Sequence, residues 1–387
     1  LRSGSMSWAI YQDFAAAMRT AGSEFVLLTD AHGNGAPCPD GTVYLPPAPV
    51  AARLDRLTRP FTRVPALLAT ASRIRRWLRA NRSVDVIYME MTYPLGTAAW
   101  LATVLSGWKG MLIMTPMGED FLVLEEAAYG HRRHRCPRWL IGKTMRSAAA
   151  IRCISPMVKE YAAQFLRPMS VIPLNVANSP LRAKPEPAHR RADRERLRER
   201  LQLERRGIVL SLGRLHPFKG LHVLVESMVR VPDADLLIAG PSLTVAGFGD
   251  YRSYLERQAS RLGIASRVHV LGAVPPEEIV GVLRAADVIV VPSLRESMNR
   301  VCAEAAATGT PFIVTAATGV ADLINEPGVS QIVPTGDPEA MATAINGVLD
   351  GAWQLNPTTT RRFLQQFDAS HAATRLLELI ASVSRER

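Results

Sequence analysis

The sequence predicts an α/β fold with two Rossmann-like, doubly wound domains, on three observations. The chain has 387 residues, which is enough for two or three domains. Its composition, 48% hydrophobic and 21% charged, is that of a globular protein and excludes disorder, collagen and coiled coil for the whole chain. From residue 208 onward, short apolar runs alternate with helical stretches, as in a parallel sheet covered on both faces.

The second half carries the clearer pattern. Its predicted buried strands are IVLSLG (208–213), DLLIAG (235–240), RVHVLG (267–272), DVIVVPS (287–293), PFIVTA (311–316) and QIVP (331–334). Helical stretches such as GLHVLVESMVR fill the gaps between them. In a domain of this kind, ligands bind beyond the carboxyl ends of the strands.

The first half repeats the alternation less regularly. Its predicted strands are EFVLLTD (24–30), VDVIYME (84–90), GMLIMTPMG (110–118, with its loop) and AIRCIS (150–155). This half opens on a Gly-containing turn and a helix, where a doubly wound domain usually opens on a strand. Either a first strand is missing or the domain is unusual. The charged run 190–206 between the halves predicts a solvated linker that becomes a surface helix.

Charge and cysteine content narrow the classes of function and location. The net charge of +11 is concentrated in the first 206 residues, whereas the second half is slightly acidic. Four cysteines form no C-x-x-C pair, which favours a reducing cytoplasm. The uncharged stretch 91–108 is interrupted by proline and glycine, so it predicts a buried helix and loop rather than a membrane span. No basic segment followed by an apolar core opens the sequence, so no secretory signal is expected.

The segment SLGRLHPFKG places two cations in a predicted strand-to-helix loop. The strand ends at Gly213, and Arg214 and Lys219 follow before the next helix. Cations at the carboxyl edge of a sheet, next to a helix N-terminus, suit a diphosphate. The alternative is a pair of solvated loop residues.

The segment VPSLRESMNRVCAEAAATGTP places two carboxylates eight positions apart. Glu296 lies in a loop, and Glu304 lies on a helix predicted to start near Met298 or Asn299. The free N–H groups of Met298, Asn299 and Arg300 are expected to point at the space beside Glu296. The alternatives are an acid and base pair, or a structural cap with a solvated Glu304. A Gly-containing turn, TGVADLI (318–324), follows the next strand.

Together these three segments resemble the retaining glycosyltransferases of the GT-B fold, family 4. In that family a G-R-x-x-x-x-K-G segment, matched by Gly213, Arg214 and Lys219, grips the donor diphosphate. An E-x7-E pair, matched by Glu296 and Glu304, holds the donor sugar and the ribose. The resemblance implies two Rossmann-like domains that face a central cleft.

The resemblance extends over nearly all of the chain and divides it into four parts. These are an acceptor-binding domain without its first strand (1–176), an interdomain linker (177–206), a nucleotide-sugar-binding domain (207–362) and a terminal helix, matched over 363–380, that crosses back to the first domain (363–387). The opening GSMSWAIYQDFAAAMRTAG resembles the family's first Gly loop and helix. Gly4 would then face the acceptor and the donor phosphates.

The sequence departs from the family pattern at two positions. In E-S-M-N (296–299), Asn299 replaces the last glycine of the family's E-G-F-G or E-S-F-G run, and its side chain is expected to alter the sugar pocket. Met117 stands where many members carry a histidine near the reacting carbon. Glu119 and Asp120, just after it, are candidate acceptor contacts.

The mechanism implied by the resemblance is retaining transfer from a UDP- or GDP-linked sugar, with no cofactor and no metal. Arg214 and Lys219, with the helix N-terminus near Asn299, are expected to stabilise the charge on the departing nucleoside diphosphate. Glu296 would bind sugar hydroxyls, and Glu304 the ribose diol. The D-x-D sequence at 233–235 is predicted to belong to a turn ahead of a strand rather than to a metal site.

The expected acceptor is a glycan, a lipid-linked sugar or a small molecule, bound by the basic first domain. Two basic segments, RIRRWLRANR (73–82) and HRRHRCPRW (131–139), suit an anionic membrane surface. The alternative for the first is an ordinary helix with Ile74, Trp77 and Leu78 in the core. Nucleic acid is not expected, because no reading motif accompanies the charge. A cytoplasmic protein follows, with peripheral membrane attachment left open.

Two other classes of function compete with a transferase. A dinucleotide-dependent oxidoreductase shares the doubly wound sheet, but no G-x-G-x-x-G follows a predicted strand. A nucleotide-sugar-binding pseudoenzyme, or an epimerase of the same fold, stays open because of the departures at Met117 and Asn299. Turnover separates these from a transferase.

Overall fold

The computed structural model describes residues 6–29, 42–44, 64–125, 129–176, 187–245 and 247–385. They divide into two compact units. Unit 1 runs to Pro173 and includes the chain from Ser370 onward, and unit 2 comprises residues 174–369. Gly4 lies outside the described residues.

Unit 1 is built from parallel strands and the helices between them. Up to Pro173 its helices and strands are α1 (Met6–Thr20), β1 (Leu27–Thr29), β2 (Thr42–Tyr44), α2 (Val64–Ala80), β3 (Val86–Glu90), α3 (Thr97–Ser106), β4 (Met111–Thr115), α4 (Gly118–Phe121), α5 (Arg135–Ser147), β5 (Ala150–Cys153), α6 (Pro156–Ala162) and β6 (Met169–Val171). The main sheet has the order β3-β4-β5-β6, and β1 and β2 form a separate parallel pair. Every residue of β4 is buried, as expected for a strand covered on both faces.

Unit 2 contains the regular alternation that the apolar runs predict. Its elements are α7 (Pro187–Leu201), β7 (Gly207–Leu212), α8 (Leu221–Ser227), β8 (Ala234–Ala239), β9 (Thr244–Val245), β10 (Gly249–Asp250), α9 (Tyr251–Arg261), β11 (Val268–Gly272), α10 (Ile279–Ala285), β12 (Val288–Val291), α11 (Arg300–Ala307), β13 (Phe312–Thr315), β14 (Gln331–Val333), α12 (Pro338–Leu349) and α13 (Pro357–Gln365). A last helix, α14 (Ala369–Ser384), packs with unit 1.

The main sheet of unit 2 is parallel throughout, with the order β11-β8-β7-β12-β13-β14. The chain starts in the middle at β7, moves out to β11, then returns to β12 and moves out the other way. This is the doubly wound order. The chain adds strands toward one edge of the sheet up to β11 and toward the other edge from β12 onward, so the strand order reverses between β7 and β12. Loops after these two strands therefore open a crevice at the carboxyl edge, where such sheets bind ligands.

The charged run between the halves is an ordered helix rather than only a solvated one. In α7, Asp193 and Leu197 are buried against unit 2. Arg284 donates to Asp193 at 2.7 Å, and Arg194 pairs with Asp287. Part of the basic charge of this segment therefore forms ion pairs with acidic residues of unit 2.

The terminal helix differs from the expected single helix over 363–380. The chain instead forms α13 and α14, which are separated by residues 366–368. Phe363 and Phe367 pack against each other in unit 2, whereas Leu376 and Val383 belong to the core of unit 1. Because the helix is interrupted at residues 366–368, the apolar face of α13 packs in unit 2 and that of α14 packs in unit 1.

Candidate functional site

Two loops meet where the strand order of unit 2 reverses. The loop after β7 carries Gly213, Arg214 and Lys219, and the loop after β12 carries Glu296. The Lys219 ammonium donates a hydrogen bond to Glu296 Oε1, so the two loops are joined by an ion pair. Gly213, Arg214 and Lys219 also line a pocket together with Asn299, all within unit 2. The structure therefore brings these predicted residues to one place.

Glycine is required at two positions of the first loop. Gly213 has φ of 153° and Gly220 has φ of 65°, values that residues with a side chain rarely adopt. A Cβ at Gly220 would also lie 2.0 Å from the carbonyl oxygen of Pro292, at the end of β12. Gly220 thus allows the backbones of the two loops to approach closely.

Glu296 is held by three side-chain donors. Besides Lys219, its Oε2 accepts hydrogen bonds from Ser293 Oγ at 2.7 Å and Asn299 Nδ2 at 2.9 Å. Its side chain is only 12% exposed, so these three donors enclose the carboxyl group. Ser293 was not predicted as a site residue, although it lies only three residues before Glu296 and at the end of the predicted strand 287–293.

The Gly-containing turn TGVADLI (318–324), together with Ala317 before it, holds the backbone of Glu296. The backbone N–H of Glu296 donates to Ala317 O at 3.0 Å, and its carbonyl accepts from the Gly319 N–H at 2.8 Å. These two hydrogen bonds fix the backbone position of Glu296 against the turn after β13.

Asn299 is the N-cap of α11, which begins at Arg300 rather than at Met298 or Asn299. Its Oδ1 accepts a hydrogen bond from the Val301 N–H at 3.0 Å, while its Nδ2 donates to Glu296. The side chain that replaces the family glycine therefore satisfies one helix N–H and orients the carboxylate. The Met298 side chain is buried, and Arg300 is half-buried.

Glu304 is buried within α11, with 5% of its surface exposed. Burial raises the pKa of this carboxyl, and the neighbouring Arg300 opposes the rise. A solvated surface glutamate is thereby excluded for this position. A buried carboxyl needs a hydrogen-bonding partner, which makes Glu304 suited to a ligand hydroxyl.

The unit 1 candidates follow β4. Asp120 is fully buried, and its carboxylate accepts hydrogen bonds from the backbone N–H groups of Thr92 at 2.7 Å, Tyr93 at 2.9 Å and Met117 at 2.8 Å. Burial raises its pKa to about 6, against these hydrogen bonds. Through its three hydrogen bonds, Asp120 joins the loops after β3 and β4, and its role as an acceptor contact stays a prediction. Its described contacts are structural.

A histidine lies beside these residues, although Met117 occupies the family position. His131 Nε2 is 3.3 Å from Glu119 Oε2, and the His131 ring packs edge-on against Tyr93, with ring centroids 5.1 Å apart. The sequence placed His131 only within a basic segment. Its position 14 residues beyond Met117 gives no local signal of this proximity.

A buried polar network at the carboxyl end of β3 was also missed. Glu90 accepts hydrogen bonds from Tyr11 at 2.6 Å and Tyr88 at 2.8 Å. The fully buried Arg152 donates to Tyr88 Oη and to the carbonyl oxygens of Ile172 and Pro173. Burial raises the pKa of Tyr88, so the phenol stays protonated and donates to Glu90.

The D-x-D sequence lies partly inside a strand rather than in a turn ahead of it. Asp235 is the second residue of β8, is buried, and accepts a hydrogen bond from the Arg205 N–H at 3.0 Å. Among the described residues, no group of three histidine, cysteine, aspartate or glutamate side chains is arranged to hold a metal ion. Within the same residues, no helix is both long enough and apolar enough to span a bilayer.

Two family models match the chain. The model described as "Glycosyl transferase 4-like domain" matches residues 7–175, and the one described as "Glycosyl transferases group 1" matches residues 193–361. The sequence is 36% identical over 150 residues to D-inositol 3-phosphate glycosyltransferase of Corynebacterium glutamicum. That alignment covers 37% of this chain and 35% of the relative, so the chain matches about a third of the relative's length.

Solved structures resemble the whole chain. Sucrose-phosphate synthase from Thermosynechococcus elongatus has a TM-score of 0.72 at 21% identity, over 97% of this chain and 92% of that one. HepE from Anabaena, in complex with UDP, has a TM-score of 0.70 at 19% identity, over 98% of both chains. At these identities the likeness establishes the fold, which is GT-B.

Proposed function

Since this chain belongs to the group 1 glycosyltransferases of the GT-B fold, we propose that it is a retaining transferase that needs no metal. It moves a hexosyl unit from a UDP- or GDP-linked sugar to a hydroxyl of a glycan, a lipid-linked sugar or a small molecule. The observation that carries the proposal is the pocket at the strand reversal of unit 2, with Arg214, Lys219 and the Asn299 cap around it.

The leaving group determines what this pocket must do. Breaking the bond between the anomeric carbon and the donor phosphate leaves negative charge on a nucleoside diphosphate. The Lys219 side chain is 15% exposed and Arg214 is exposed, so one cation is enclosed and the other is open to solvent. Cations positioned before the reaction stabilise that charge without reorganisation, which is the role a divalent ion has in other transferases.

Glu296 and Glu304 bind the two remaining parts of the donor, the transferred sugar and the ribose. When a diphosphate engages Lys219, Glu296 Oε1 loses its ammonium partner and accepts hydrogen bonds from the sugar hydroxyls instead. Ser293 and Asn299 continue to hold Oε2, so the carboxylate keeps its orientation. Glu304, buried on α11, would accept from the ribose diol.

Among the two donor bases, the solved neighbours favour uracil. HepE has been solved in complex with UDP and with UDP-glucose. The name D-inositol 3-phosphate glycosyltransferase indicates a small phosphorylated acceptor for those relatives.

Isothermal titration with UDP, GDP and ADP, each with Mg²⁺ and again with EDTA, tests the donor site. We expect one nucleotide to bind equally well in both buffers, because cations of the protein replace the metal. Binding that disappears in EDTA would overturn the metal-free mechanism, and binding of none would overturn the donor assignment.

Turnover is tested separately, as release of the nucleoside diphosphate from the matching nucleotide sugar with water as the acceptor. Slow release that is abolished by Lys219→Ala is expected of a transferase. Tight nucleotide binding with no release from any hexosyl donor would support a pseudoenzyme instead.

A further inference from the structure

One face of α5 exposes cations around an aromatic side chain. Its exposed cationic residues are Arg135, Arg138, Lys143 and Arg146. They share a helix face with Trp139, which is 59% exposed, because successive turns of the helix bring these positions to the same side. No acidic residue occurs in this helix.

A protruding leucine adjoins the C-terminal end of the same helix. Leu166 is 89% exposed and has φ of 53°, in the left-handed region where a leucine is strained. The next residue, Arg167, donates a hydrogen bond to the carbonyl oxygen of Arg146, which ties this turn to α5. The fold thus holds an apolar side chain outward at an energetic cost, beside the cations.

The other basic segment uses its apolar residues differently. In α2, Ile74 and Leu78 are buried and Trp77 is half-buried in a cluster with α3. The exposed Arg76 and Arg79 therefore have no exposed aromatic residue beside them on that helix. For 73–82 the structure matches an ordinary amphipathic helix.

We propose that the basic face, defined as Arg135, Arg138, Trp139, Lys143 and Arg146 together with Leu166 and Arg167, docks on an anionic bilayer surface. Cations attract acidic headgroups, indole rings settle at the level of the headgroups, and an exposed leucine enters the acyl boundary. The Lys143 ammonium lies 5.9 Å from the centroid of the Trp139 ring, so charge and aromatic anchor form one unit. Trp139 suits a base or a headgroup layer equally, whereas Leu166 offers no stacking surface and suits an acyl layer, so the two together favour lipid over RNA. The inference goes beyond the proposed transfer and does not depend on it.

The test is co-sedimentation of the full chain with phosphatidylcholine vesicles, with and without phosphatidylglycerol. Wild type should sediment only with the anionic vesicles, and less so at high salt. Arg138→Glu with Lys143→Glu should lower partitioning by at least about 25-fold, since each cation near an anionic surface contributes about fivefold. Trp139→Ser with Leu166→Ser leaves the charge unchanged and should lower it by about tenfold or more.

Arg76→Glu with Arg79→Glu is the matched control, because it makes the same charge change on α2. It should leave most of the vesicle binding intact. Circular dichroism and thermal unfolding verify that each variant is folded.

Three outcomes would overturn the proposal. The first is an equal loss of vesicle binding in the α2 and α5 charge variants, which would show that binding depends on overall charge and not on this face. The second is unchanged vesicle binding in the Trp139 and Leu166 variant, which would show that these two side chains do not enter the bilayer. The third is binding of mixed-sequence RNA but not of vesicles, with the RNA binding lost in the α5 charge variant.

Discussion

Lys219 and Glu296, 77 residues apart in the sequence, form an ion pair across the strand reversal of unit 2. Each side chain is mostly buried, so removal of either leaves the other charge with poor solvation. The same pair lies where the donor phosphates and the donor sugar are proposed to meet. On the proposed function, Lys219 therefore exchanges its carboxylate partner for a donor phosphate.

Lys219→Ala and Arg214→Ala should each lower turnover by more than about tenfold with the fold intact, because each removes a cation from the leaving group. Lys219→Ala should have the larger effect, since its ammonium is the more enclosed of the two. The measurement is release of nucleoside diphosphate from the donor, with thermal unfolding as the check on folding.

Arg257→Ala is the control for these variants, because Arg257 is an exposed cation on α9 of the same unit. It should turn over at the wild-type rate. Normal turnover in both pocket variants would remove the two cations from the mechanism.

Glu304→Ala should weaken nucleoside diphosphate binding by at least about tenfold, because a hydrogen bond to a charged group contributes about 1.5–3 kcal/mol. It should change the unimolecular step much less, because the ribose diol takes no part in bond breaking. Glu304→Gln, which keeps the volume and one acceptor, should fall between wild type and alanine. Titration calorimetry measures both affinities. An affinity that does not change in the alanine variant would exclude the ribose role.

Asn299 gives a test of position rather than of charge. Asn299→Gly should cost only a few tenths of a kcal/mol in stability, because glycine is an acceptable N-cap. It should lower kcat/KM for the donor about fivefold, the value of one lost hydrogen bond of about 1 kcal/mol to Glu296.

Asn299→Asp separates capping from orientation. It keeps the capping oxygen but places a second negative charge beside Glu296, so it should lower kcat/KM further while stability stays near wild type. If the glycine and aspartate variants both match wild type in kcat/KM, Asn299 has no orienting role.

Asp120→Ala should destabilise unit 1 by about 3 kcal/mol or more, because three buried N–H groups lose their acceptor. Chemical denaturation measures the change. Glu119→Ala, which removes a partly exposed carboxylate one residue away, is the comparison and should cost much less.

The same residue predicts a pH dependence. The pKa of Asp120 is about 6 in the folded protein, against 3.8 for an aspartate in an unfolded chain, so the folded state keeps the proton over this interval. The stabilising effect of that proton is complete below pH 3.8 and is lost as the pH rises through about 6. The unfolding free energy of wild type relative to Asp120→Asn should fall over that range. A flat difference would contradict the raised pKa.

Periodicity predicted the strands of unit 2 because each is an apolar run buried on both faces, and the main-sheet strands start and end within two residues of the predicted positions. The short strands β2, β6, β9 and β10 were missed. The motif residues Gly213, Arg214 and Lys219 were found from local spacing.

What sequence could not predict depends on contacts between distant segments. The ion pair of Lys219 with Glu296 requires β7 and β12 to be neighbours, which only the sheet order establishes. The burial of Asp120 was not predicted, because nothing nearby in sequence shows that the N–H groups of Thr92 and Tyr93 donate to it. His131 is missed for the same reason, since its partner Glu119 lies on another segment.

The assignment of α14 to unit 1 has a consequence for biosynthesis. Leu376, Leu379 and Val383 pack with Phe14 and Met111, so the hydrophobic core of unit 1 needs residues from both ends of the described chain. Every residue of unit 2 leaves the ribosome before this helix does. Unit 2 can therefore complete its core during translation, whereas unit 1, although synthesised first, must wait with an exposed apolar face until residue 383 has emerged.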